Sequence, residues 1–198
     1  MKIAIFGASS QIAKDMVAKI NKDNDIDLHL YSRNIKSLSD ALNFRGIDIS
    51  RLKISEYESF PNENSFNVIM NFIGIGDPRK GVDLGAEIFD ITYEYDSIVI
   101  EYLRNNIQTK YIFISSGAVY GVDNFSKAPD ETSKAIFNVN ELNIQEWYSI
   151  SKIHAECRHR AFKEASIIDL RIFNYISSQI NLNSSFFITD AINAILNK

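Results

Sequence analysis

The chain has 198 residues, enough for one domain with a sizeable core and short for two. With 45% hydrophobic and 23% charged residues, eight glycines and three prolines, its composition is that of a folded globular protein, which excludes extensive disorder. A net charge of -4 leaves no basic stripe for nucleic acid, no apolar run reaches the roughly 18 residues that a membrane helix needs, and the single cysteine, Cys157, allows neither an internal disulfide nor a cysteine-based metal site.

"KIAIFG" (2–7) reads as a first strand, and residues 11–21 as a helix with Ile12, Met16, Val17 and Ile20 on one side. "IDLHLYS" (26–32) reads as a second strand, followed by a short helix over 35–43, a weak third strand over 52–54 and a buried fourth strand at "NVIMNFIG" (67–74). The longest helical pattern covers 84–105, and "YIFISS" (111–116) is the fifth strand. A polar stretch over 122–142 precedes a helix over 147–165, which leads into "SIIDLRIF" (166–173) as strand six. "FFITDAINAILNK" (186–198) reads as a short strand and a helix capped by Thr189. Continuous apolar strands separated by helices require a parallel sheet covered on both faces, so the expected class is doubly wound α/β. The N-terminus, "MKIAIFGASS", carries no small-residue cleavage site, and a cytoplasmic location is the expectation.

"IFGASSQIA" stands where strand one turns into helix one, the place where a dinucleotide fingerprint uses glycines for a tight turn and close backbone approach to a pyrophosphate. Only Gly7 remains as glycine, with the small Ser10 and Ala13 three and six residues later; Ser9 and Ser10 can add hydroxyl donors at the helix N-terminus. After strand two, where a carboxylate would bind the adenosine ribose of NAD, the chain has Ser32 and Arg33. A guanidinium suits a 2′-phosphate, so NADP(H) is the expected cofactor, with NAD(H) possible.

Strand five ends in Ser115 and Ser116, expected to face the crevice beyond the carboxyl ends of the strands. Tyr148 and Lys152 stand one helical turn apart on the next helix, where an ammonium beside the phenol should lower the tyrosine pKa and make it a proton donor or acceptor. His29, His154 and His159 are scattered and predict no metal site.

Taken in order, "GASSQIA", "NFIG", "SSGAVYG", "YSISK" and "LRIFN" resemble the extended short-chain dehydrogenase/reductase family of NAD(P)-dependent sugar epimerases, dehydratases and reductases. The resemblance implies a Rossmann-type fold and a phosphate loop made by Gly7, Ser9, Ser10, Gln11 and Ile12. It places Asn71, Phe72, Gly74 and Ser115 along the cofactor, and Phe173 beside the nicotinamide. Ser116 would hold the substrate oxygen with Gly117 and Asn174 near it, Tyr148 would exchange the proton, and Lys152 would bind the nicotinamide ribose. The implied partner is a nucleotide sugar, and the implied assembly is a homodimer through the helices before strands five and six.

Two departures refine this. Dehydratases of the family carry an Asp-Glu pair after the active-site hydroxyl residue, whereas this chain has Gly117 and Ala118, so a keto-sugar reductase or an epimerase is expected before a 4,6-dehydratase. The chain also ends about one helix after strand six, so the expectation is one dinucleotide-binding domain over 1–198 with a much reduced substrate lobe beginning near residue 175. A non-catalytic NADP(H)-binding module is the alternative from another functional class.

Overall fold

The five residues of β1, Lys2–Phe6, four of them apolar, and the runs that form β2 (Asp27–Tyr31), β3 (Lys53–Ser55), β4 (Val68–Asn71), β5 (Lys110–Ser116) and β6 (Ile167–Ile172) join in one sheet of order β3-β2-β1-β4-β5-β6. The computed structural model describes residues 1–62, 65–75, 81, 83–121, 128–130, 132–184 and 187–197. Every strand pair is parallel, with Phe6 opposite both Tyr31 and Asn71, Asn71 opposite Phe113, and Ser116 opposite Ile172. Strand order therefore reverses between β1 and β4, the switch point at which open α/β sheets bind ligands.

Alternate residues face opposite sides of the sheet, and each side has its own core. Ile3, Ile5, Leu28, Leu30, Met70 and Ile114 pack with Val17 of α1 (Gln11–Ile20) and with Leu38 and Leu42 of α2 (Ile35–Phe44). Ala4, Phe6, Tyr31, Ile69, Tyr111 and Phe113 pack with Val99, Ile100 and Leu103 of α3 (Glu87–Asn105) and Ala155 of α4 (Ile144–Ala161). The second core is aromatic: Phe6 meets Phe60 edge-on at 4.7 Å, and Phe60 meets Tyr102 at 4.9 Å. Each ring of this size, fully buried, contributes about 2–3 kcal/mol.

Local chemistry sets the helix ends. Ser10 caps α1 by accepting from the Ala13 N–H (3.2 Å), and Asn34 caps α2 by accepting from the Ser37 N–H (2.8 Å). Helix α4 begins at Ile144, three residues before the apolar pattern suggests, because Asn143 and Glu146 form a reciprocal cap: Glu146 accepts from the Asn143 N–H (2.9 Å), and Asn143 accepts from the Glu146 N–H (3.3 Å). It ends at Ala161, short of the expected 165.

Strand β4 is shorter than its apolar run because the Asn71 side chain accepts from the Ile73 N–H (2.9 Å) and turns the chain out of the sheet. The last segment corrects the sequence reading. Phe187–Leu196 is a helix, α5, from its first residue, with no strand in Phe187–Thr189; Thr189 sits inside its first turn, where the hydroxyl bonds the Ser184 carbonyl (2.6 Å). Within the polar stretch over 122–142, residues 122–127 and 131 lie outside the described residues, and among the rest Val139–Glu141 forms a 3₁₀ turn. No helix among the described residues is long and apolar enough to cross a membrane.

Candidate active site

The turn from β1 into α1 is closed tightly around Gly7. Gly7 has φ +68°, and a Cβ there would lie 3.0 Å from the Ile73 nitrogen and the Phe72 carbonyl carbon, so the backbones of this turn and of the segment after β4 pack with no room for a side chain. The first N–H groups of α1, from Gln11 and Ile12, have no carbonyl of their own helix to meet and carry the positive end of its dipole. Ser9 is exposed beside them, while the Ser10 hydroxyl serves as the cap. These residues fit the pyrophosphate of a dinucleotide, which would lie across this turn.

At the end of β2 the two expected residues have different fates. Ser32 is buried, and its hydroxyl accepts from the Asn34 N–H (3.3 Å), so it shapes the entry to α2. Arg33 is exposed, and its charge acts on the nearby phenols of Tyr57 and Tyr95. Tyr57, which the sequence did not single out, accepts a hydrogen bond from the Gly7 N–H (3.1 Å) and so anchors the glycine turn from the aromatic core.

Ser116, Tyr148 and Lys152 come together beyond the carboxyl end of β5. The Ser116 hydroxyl accepts from the Ala118 N–H (3.1 Å) and lies near enough to the Tyr148 phenol to favour its ionised form. Lys152 is buried; its ammonium donates to the carbonyls of Ile73 and Ile114, both at 2.9 Å, and lies 4.3 Å from the centre of the Phe113 ring. A Cβ at position 74 would come within 2.6 Å of the lysine nitrogen, so a side chain there would push the ammonium off its two carbonyls. Burial pulls Lys152 down to about 7, against the opposing charges of Asp96 and Glu156.

Two expectations are corrected. Burial raises the Tyr148 pKa, and the nearby Ser116 hydroxyl offsets this only in part. The lysine does not depress it, because its ammonium lies 6.0 Å from the centre of the phenol ring and is turned to the two carbonyls. Ser115 does not share the crevice with Ser116: adjacent strand residues point to opposite faces, and its hydroxyl donates to Glu156 (2.6 Å) beneath α4.

Glu156 was legible as the next residue on the Tyr148–Lys152 face, one further turn along. Arg171 grips it through Nε (3.0 Å) and Nη2 (2.6 Å). Arg171 also lies over Tyr120 at 4.7 Å, and Tyr120 stacks with Phe173 at 5.9 Å. The Phe173 ring covers Gly117 so closely that a Cβ there would meet it at 2.5 Å. Asn174 is exposed. The Gln11 side chain is engaged elsewhere: its amide donates to Asp15 (3.0 Å) and to the Gln179 carbonyl (2.8 Å) and accepts from Arg45 (2.7 Å). With the Tyr175 hydroxyl donating to Asp15 (2.9 Å), the segment after β6 is tied across the start of α1.

No curated protein matches the chain. Among solved structures it is similar to a UDP-N-acetylglucosamine 4-epimerase from Methanobrevibacter ruminantium M1 in complex with UDP-N-acetylmuramic acid (19% identity, TM-score 0.77, 99% of this chain and 63% of that one). It is also similar to a dTDP-glucose 4,6-dehydratase from Bacillus anthracis str. Ames in complex with NAD (16%, TM-score 0.74, 100% and 61%). A third is a UDP-Glc/GlcNAc 4-epimerase from Campylobacter jejuni (19%, TM-score 0.67, 86% and 52%). At these identities the likeness is one of fold, and the chain spans less than two thirds of the length of each of the three. The sequence model of the NAD dependent epimerase/dehydratase family matches residues 3–198, from the first strand through the last helix, and the chain belongs to that family.

Proposed function

We propose that this chain binds NADP(H) at the α1 turn and acts on a nucleotide-linked sugar as a keto-sugar reductase. The observation that carries the reading is the convergence of Ser116 and Tyr148 beside the buried Lys152, at the carboxyl end of β5. A bound nicotinamide dinucleotide would supply the hydride. The chain supplies the rest: Ser116 holds the sugar carbonyl oxygen, and the Tyr148 phenol, kept protonated by its burial, gives that oxygen its proton. Lys152, whose ammonium is turned to the Ile73 and Ile114 carbonyls, would bind the nicotinamide ribose, and the turn over Gly7 would hold the diphosphate. Arg33, with no carboxylate at Ser32, favours the 2′-phosphate. Residues from about 175 onward begin the sugar-facing side.

Gly117 and Ala118 bring no acid and base for water elimination, and the Phe173 ring fills the space where a side chain at 117 would start. This disfavours dehydration. Epimerisation is the second reading, supported by the likeness to two 4-epimerases.

Fluorescence titration with NADPH and NADH comes first, followed by oxidation of NADPH in the presence of UDP- and dTDP-linked keto sugars. NADPH should bind at least about tenfold more tightly than NADH. Tyr148→Phe should lower turnover about a hundredfold or more with cofactor affinity kept. Equal binding of the two cofactors removes Arg33 from the 2′-phosphate role and leaves epimerisation as the better reading.

A further inference from the structure

A chain of buried polar groups runs from the middle of α3 to the lysine. The Tyr111 hydroxyl donates to Asp96 Oδ1 (3.0 Å) and accepts from Asn71 Nδ2 (2.9 Å). Asn71 Oδ1 accepts from the Ile73 N–H (2.9 Å), and the Ile73 carbonyl accepts from Lys152 Nζ (2.9 Å). Asp96 and Tyr111 are fully buried, and Asn71 and Lys152 nearly so. Asp96 is held in turn by Arg158 (2.6 Å) and His159 (2.7 Å), and His159 by Asp169.

The surrounding core does not need these groups. Asn71 and Tyr111 stand on the face that carries Phe6, Ile69 and Phe113, where apolar side chains pack without partners. A buried carboxylate with its counter-ions is seldom a net gain over apolar residues of the same volume. Asn71, however, does what no apolar residue could: it receives an N–H from the backbone on one side and donates to Tyr111 on the other, which fixes the turn that presents the Ile73 carbonyl.

We propose that Asp96 and Tyr111 are positioning residues for Lys152, acting through Asn71 to hold the Ile73 carbonyl against the lysine ammonium. The proposal rests on the reading of Lys152 as the lysine of the active site. Asp96 also provides the first of the two buried negative charges that oppose loss of the lysine proton.

The test is a pH titration of the full chain labelled with ¹³C at lysine Cε, with the Lys152 resonance assigned from its loss in Lys152→Met. Tyr111→Phe should lower the Lys152 midpoint by half a pH unit or more, about threefold in its ionisation constant. Asn71→Ala should lower it as well, which keeps the test open if Tyr111→Phe folds poorly. Tyr102→Phe is the matched control: it removes a buried hydroxyl from the same core, one that accepts from the Phe66 N–H and has no link to the chain, and it should leave the midpoint unchanged. An unchanged midpoint in both Tyr111→Phe and Asn71→Ala, or an equal shift in Tyr102→Phe, overturns the proposal. NADPH binding by the wild type is measured separately, so failure of the cofactor reading and failure of the positioning role give different results.

Discussion

Replacing Lys152 by Met should make the pH dependence of stability change in a defined direction. The side chain is buried, and its pKa falls from 10.5 in the unfolded chain to about 7 in the fold, chiefly through loss of hydration. Between those values the unfolded chain holds more protons than the folded one, so this residue makes stability rise with pH, by up to about 1.4 kcal/mol per unit. Across the whole window the gain is about 5 kcal/mol, all of it absent below about pH 7, where the ammonium is charged in both states. Met fills nearly the same volume without a charge. It leaves the Ile73 and Ile114 carbonyls without their donor, at about 1–3 kcal/mol each, but that cost does not depend on pH. Urea unfolding of both proteins at steps between about pH 6 and 10 separates the two effects. Wild-type stability minus variant stability should climb with pH above about 7. A flat or falling difference would refute the claim that Lys152 is held in the core with a depressed pKa.

His159 should give the opposite slope. Burial pulls its pKa down, but Asp169 and Asp96 outweigh that and lift it from 6.5 to about 9, so its contribution is complete below about pH 6.5 and lost as pH rises through about 9. His159→Gln should therefore cost about 3 kcal/mol at pH 6 and much less at pH 9.5, by the same unfolding assay. Gly7→Ala combines a positive φ with a 3.0 Å approach to the Ile73 backbone; it should destabilise the chain by about 2 kcal/mol and weaken NADPH binding tenfold or more in a fluorescence titration. Ser10→Ala removes the α1 cap and should cost about 1 kcal/mol in thermal or urea unfolding.

Strands β1, β4 and β5 were legible as nearly unbroken apolar runs, the pattern of a strand buried on both faces, β2 and β6 as runs in which apolar and polar residues alternate, and the order of strands and helices then leaves few topologies. What the pattern misplaced were ends. The apolar run of β4 continues past Asn71, but a side-chain hydrogen bond to the Ile73 N–H diverts it. Residues 187–189 have strand-like composition, yet they begin a helix. In both places a polar contact within a few residues outweighs propensity, and such contacts carry little periodic signal.

The site was legible where chemistry follows from spacing along one element, as with Tyr148 and Lys152, and illegible where it follows from partners far apart in the chain. Ser115 and Ser116 look alike in sequence, but only the fold brings Glu156 under one of them. Helix α4 makes the point more generally, since its buried side includes Glu146, Ser149, Ser151, Lys152, Glu156 and His159. A helix that turns so many polar groups inward has a weak amphipathic pattern, and a periodicity search reads it as an ordinary surface helix. Helix α3 offers the complementary clue. Asp96 lies on the stripe of Ile88, Thr92, Val99, Ile100 and Leu103, and a carboxylate on an apolar stripe must have partners waiting on other elements. Those partners, Tyr111 from β5 and Arg158 and His159 from α4, lie beyond any local window, so the sequence can announce that a buried polar network exists without saying that it leads to Lys152.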